Sequence, residues 1–205
     1  MKDLDTNLED LRLYDGQEVF VEKGVPTTPG EYKVVLFSFE PNIKEPFTKL
    51  GEVTVNENKT IRENKEGIAK QLATLEKPVV INPTEVRMRE AYSTTSWPSK
   101  VLLDDALLKD SSSYLYAGKM YVLEKMNESD TMVTNKNQLA LFAMRWNPLT
   151  MKFGPVEQLI VDESLPLNQQ IRVALAARIA PDFDPKNLSF WKPSYTGLAG
   201  PTMAE

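Results

Sequence analysis

The chain contains no cysteine and no histidine in 205 residues. Without thiols it has no disulfide and no thiolate nucleophile. Without imidazole it has no Ser–His–Asp arrangement, none of the common zinc sites and no proton switch near neutral pH. Catalysis by carboxylate pairs or lysine survives this filter, but no acid/base cluster converges in the sequence, and no cofactor or metal is expected. Basic charge is also short: 24 Lys and Arg face 29 Asp and Glu, a net charge of −5. That argues against a nucleic-acid partner, which favours a basic surface. Long apolar runs are missing too. Met1 is followed by Lys2, Asp3, Leu4 and Asp5, so neither a signal peptide nor a membrane span is expected. The expected location is intracellular, cytoplasmic or nuclear.

What is present is an ordinary globular composition, 41% hydrophobic and 26% charged, with a repeat inside it. Leu13, Tyr14, Gly16, Glu22 and Lys23 recur as Leu115, Tyr116, Gly118, Glu124 and Lys125, about 102 residues on. Between them, Val19, Phe20 and Val21 are answered by Tyr121, Val122 and Leu123. A turn-plus-strand repeated at domain-sized spacing means that one fold is used more than once. Tandem arrays of this kind point to binding or regulation before chemistry.

Periodicity and turn signals divide the chain further. Residues 11–22 read as a turn followed by a strand, and residues 23–30 as a Pro/Gly linker. Glu31–Phe39 is apolar on both faces (Tyr32, Val34 and Leu36; Val35, Phe37 and Phe39), which predicts a central strand. A second strand is predicted at 51–55. Thr60 and Glu63 match a capping box, and Ile61, Ile68, Leu72 and Leu75 share one face of a helix that Pro78 should end. Residues 85–91 alternate, with Val86 and Met88 on one side and Arg87 and Arg89 on the other, predicting a half-buried strand. Short strands follow at 100–103 and 119–123. After a polar linker at 127–137 the order restarts. Strands are predicted at 138–146 and 158–161, then a helix carrying Leu167, Ile171, Leu175 and Ile179, then a strand at 187–191.

Two strands, a helix and three more strands resemble the ubiquitin-like β-grasp order. The stretch from Thr60 to Leu75, with its Thr-Ile start and Lys65-Glu66-Gly67-Ile68 core, is similar to the ubiquitin helix. Val86-Arg87-Met88-Arg89-Glu90 followed by Lys100-Val101-Leu102-Leu103-Asp104 resembles a pattern in the tandem ubiquitin-like regions of ubiquitin-specific proteases. The resemblance implies an α+β fold of tandem ubiquitin-like modules, each a mixed sheet packed on one helix. Residues 30–126 would be one module and residues 137–205 a second, possibly incomplete one. Residues 8–23 would be the end of a preceding module or an extra strand.

The resemblance also implies a non-catalytic segment of a cysteine-type deubiquitinase, since the protease Cys and His have no counterpart here. Its partners would be proteins, including the catalytic domain of the same polypeptide. A stand-alone ubiquitin-like adaptor is the open alternative. The chain ends Met203-Ala204-Glu205 rather than Gly-Gly, unlike a conjugated modifier. Four residues are candidates for partner binding: Arg87 and Arg89 as an outward charged strip, Lys100 beside them, and Trp97 at a loop tip. A guanidinium on the third strand, where ubiquitin presents an aliphatic residue, should repel ubiquitin's own receptors. Asp110 and Ser111 to Ser113 read as a flexible loop that a kinase could reach. Trp146 and Trp191 read as packing residues, and Asp104 and Asp105 as a turn. A spare N-terminal strand and an incomplete second module together suggest strand exchange between chains.

Overall fold

A computed structural model describes residues 28–126, 133–147 and 149–164, and the isolated positions 166, 177–178, 184, 191–192 and 202–203. The fold is α+β. Strands β1 (Glu31–Phe39), β2 (Phe47–Asn56), β3 (Val86–Ala91) and β4 (Met120–Lys125) form one mixed sheet in the order β2-β1-β4-β3. β1 is antiparallel to β2 and parallel to β4, and β3 is antiparallel to β4. The central position expected of β1 is observed, because both of its faces have something apolar to meet. Gly118 turns the chain into β4 at φ +87°, a conformation glycine adopts without strain, and its N–H reaches Lys33 O at 2.8 Å.

Helix α1 (Ile61–Leu72) starts where the capping box places it. Thr60 Oγ1 accepts from the Glu63 N–H, and the Glu63 carboxylate accepts from the Thr60 N–H at 2.8 Å. Ile61, Ile68 and Leu72 are fully buried against Val34, Leu36, Val53, Val55, Met88, Tyr121 and Leu123 on one sheet face. The helix also guards the sheet edge. The Gln71 amide bonds both Thr54 N and Thr54 O, and Asn64 does the same for Asn56. These β2 groups would otherwise be an open edge. The helix ends at Leu72, before Pro78. Leu75 lies beyond it but still packs on the core. A side chain at Gly51 would come within 2.9 Å of Leu75.

Three local expectations change. β2 begins at Phe47, not residue 51. The strand at 100–103 shrinks to one bridge, Val101 with Arg89, supported by Leu102 N to Met88 O at 2.8 Å. The stretch at 110–113 is not a loose loop. Asp110 and Ser111 belong to a short helix α2 (Leu108–Ser111), and Ser112 is buried.

Beyond this sheet, β5 (Gln138–Asn147) and β6 (Lys152–Asp162) form an antiparallel hairpin. Like β1–β2, it shifts register once, between Met144 and Trp146. β7 (Trp191–Lys192) pairs with β8 (Thr202–Met203). The expected helix at 167–179 and the N-terminal strand fall outside the described residues, apart from two helical positions at 177–178. Among the described residues no helix is long and apolar enough to cross a membrane.

Candidate interaction site

Alternation puts Val86, Met88 and Glu90 on the α1 face of the sheet and Arg87, Arg89 and Ala91 on the other. That second face is not solvated. All six β3 residues are buried, and Arg87 and Arg89 are each 1% exposed. The half-buried strand with an outward arginine strip is therefore corrected. Hairpin β5–β6 lies over the arginines, and a charge with water excluded needs a counter-charge. Glu124 on β4 supplies it. Arg89 Nε bonds its carboxylate at 2.7 Å, and Arg87 Nη1 lies 3.9 Å away.

Gln158, from β6, closes the cluster. Its amide donates to both Glu124 oxygens at 2.8 and 3.0 Å, and its carbonyl accepts from Arg87. Arg89 Nη1 donates to Ser99 O at 2.9 Å. The Phe142 ring of β5 sits 4.8 Å from the Arg89 guanidinium, a cation–π contact in a desolvated setting. Phe142 also packs on Phe39 and Trp97, with centroids 5.6 and 5.1 Å apart. At the hairpin's other edge, the Asn42 side chain bonds Val156 N at 2.7 Å and Val156 O at 3.1 Å. The seam is thus a buried charged centre inside an aromatic rim.

The four residues singled out from sequence do not form one patch. Arg87 and Arg89 are interior. Trp97 is 46% exposed, with one face on Phe39 and Phe142. Lys100 is exposed on the surface. Trp146, read as a packing residue, is 38% exposed. It belongs to an apolar group on the hairpin end with Met144, Leu149, Met151 and Phe153, all exposed. Trp191 begins β7.

A second buried network lies at the other end of β3. The Glu90 carboxylate accepts from Lys119 Nζ at 2.7 Å, Ser112 Oγ at 2.7 Å and Ser113 N at 3.0 Å. Burial pushes the Glu90 pKa up, but these donors outweigh it and hold it below the usual carboxylate value. Tyr121, bonded to Ser112 at 2.7 Å, is raised well above the usual phenol value, chiefly by burial. Lys65, on α1, is equally buried and joins Val86 O and Asp104. Asp104 and Asp105 occupy the expected turn, with Asp105 on Arg62 at 2.7 Å. No three carboxylates among the described residues converge as a metal would require. Sequence patterns missed Glu90, Lys119 and Glu124. Their one signal was charge inside strands otherwise rich in buried apolar residues.

Comparison with known proteins places this architecture. The family model described as the C-terminal region of ubiquitin carboxyl-terminal hydrolase 47 matches residues 33–182. The chain belongs to that family. It is 25% identical over 150 residues to ubiquitin carboxyl-terminal hydrolase 47 of Xenopus laevis, covering 73% of this chain and 11% of the relative. It is 24% identical over 150 residues to the Homo sapiens protein, covering 73% of this chain and 10% of the relative. The chain spans about a tenth of the length of the curated relatives it matches. The segment is therefore a ubiquitin-specific protease C-terminal region, not the catalytic part.

Proposed function

We propose that the chain is a non-catalytic array of ubiquitin-like β-grasp modules that binds proteins, the catalytic domain of its own parent enzyme foremost, and tunes deubiquitination. The module at 30–126 is supported by the order β2-β1-β4-β3, its parallel β1–β4 pair and the helix between β2 and β3. The second module, within 137–205, opens with a hairpin of the same form. An intracellular setting and protein rather than nucleic-acid partners belong to the same proposal, the latter supported by the net charge of −5.

The observation that carries the reading is the covered face. The part of the sheet face bearing Arg87 and Arg89 is occupied by the chain's own hairpin, so those two arginines are not offered to a partner. The seam packs the hairpin on the first sheet, and the exposed apolar hairpin end is the surface offered to a partner. The test uses the full-length enzyme with and without this region, read by kcat/KM on a fluorogenic ubiquitin substrate. A change of roughly fivefold or more is expected from a coupling of ordinary size. Unaltered turnover, with no binding of this chain to the catalytic domain, would overturn the proposal.

A further inference from the structure

The turn end of hairpin β5–β6 carries charge of the sign the chain is short of. Asn147 Oδ1 accepts from Leu149 N at 3.0 Å and Thr150 N at 3.3 Å, and Met151 takes φ +53° as the hairpin closes. The register shift between Met144 and Trp146 sets Arg145 across from Gly154 and Pro155. Neither of those two has a long side chain, and a cleft of 430 Å³ opens beside them. Arg145, Lys152 and Arg178 line it, and Glu157 is the one carboxylate among its described residues. Arg178 comes from elsewhere in the chain and is tied to the hairpin by its Nη1, 2.6 Å from Gln158 O. Three positive groups against one negative is the reverse of the whole chain, whose net charge is −5. Around the cleft, Leu149 is 93% exposed, Met151 72% and Phe153 67%.

We propose that this end of the hairpin docks an acidic peptide segment that also carries large apolar side chains. Charge decides the occupant. A partner that covers Leu149, Met151 and Phe153 also strips water from the cations beside them, and a desolvated cation needs a counter-charge. A basic or neutral surface would leave the surplus uncompensated. Carboxylates supply the missing charge, and guanidinium groups hold them through two parallel bonds. Arg145 and Arg178 have interactions within the chain. These do not exclude a carboxylate, because a guanidinium carries five N–H donors. The peptide's apolar side chains would pack on the exposed group, where aromatic and arginine residues concentrate binding energy. A phosphate ion offers charge without the apolar half. An anionic bilayer offers both, but it is flat, whereas the cations here line a concavity.

The inference rests on reading the hairpin end as a docking surface, and it names the chemistry of what docks there. Its test is binding to the full chain, with no turnover involved. The probe is a fluorescein-labelled peptide with glutamates on both sides of a Leu-Trp pair, read by anisotropy. Binding is expected, weaker at high salt as the charges are screened. Lys152→Glu and Leu149→Ser should each weaken it about fivefold or more. Both sites are exposed, so the thermal midpoints should stay at the native value. The same peptide with lysine for glutamate, or with Gly-Gly for Leu-Trp, should bind several-fold more weakly. Equal binding of either altered peptide, or no loss in both variants, would overturn the inference. So would displacement of the peptide by inorganic phosphate or by phosphatidylserine vesicles at lower concentration than by unlabelled peptide. No peptide binding, with turnover still altered when the region is removed, would strike this inference and leave the regulatory reading standing. Peptide binding with unaltered turnover would do the reverse.

Discussion

Glu124 is the residue on which the seam turns, because its carboxylate bonds the buried Arg89 guanidinium, lies 3.9 Å from that of Arg87 and accepts from Gln158. Removing one partner of a buried pair costs more than the pair itself contributes, since a charge is left without compensation. Glu124→Ala should therefore lower stability by about 3–5 kcal/mol in urea titration. Replacing all three charges together (Arg87→Met, Arg89→Met, Glu124→Leu) should cost far less. Equal losses in the two variants would contradict the assignment. Glu90 makes a different prediction, in pH. Its folded pKa lies below the unfolded value of about 4.3. It contributes stability that is present above that value and lost as pH falls through the folded one. Thermal midpoints between pH 6 and 3 should fall more steeply for the native chain than for Glu90→Gln. Tyr121 has the opposite sign. Its folded pKa is raised, so its contribution is present below about pH 10 and lost above it. Tyr121→Phe should flatten the alkaline limb of the same curve.

Among the elements, α1 was the most legible, because its cap and its apolar face are local, although it stops at Leu72 and Leu75 packs from beyond its end. Thr60→Ala removes the cap and should cost about 1 kcal/mol, read as a shift in urea midpoint at constant slope. β1 was legible for the same reason, being apolar on both faces. β3 was not. Its alternation of apolar and arginine residues is the pattern of a strand with one face in water. What covers that face, Phe142 and Gln158, comes 53 and 71 residues after Arg89 and Arg87, and no local pattern encodes it. The stretch at 110–113 was misread for a related reason. Its serines look like loop residues until Glu90, some twenty positions earlier, is placed against them. Lys65 likewise reads as a solvent-facing helical lysine until Val86 O and Asp104 meet its ammonium.

In the molecule as a whole, apolar burial and buried charge have separate tasks. The apolar core between α1 and the first sheet fixes the module, and the Arg–Glu–Gln cluster fixes the hairpin upon it. The repeat and the order of elements raised the expectation of an array of modules, whereas the seam between the first sheet and the hairpin came only with tertiary structure. Hydrogen–deuterium exchange on the native chain and on Glu124→Ala tests the seam most directly. If buried charge joins the two units, the amides of β5 and β6 lose protection together with those of β3 and β4 in the variant. Loss confined to β3 and β4, with the hairpin protected as before, would mean that the two units are held together by something else.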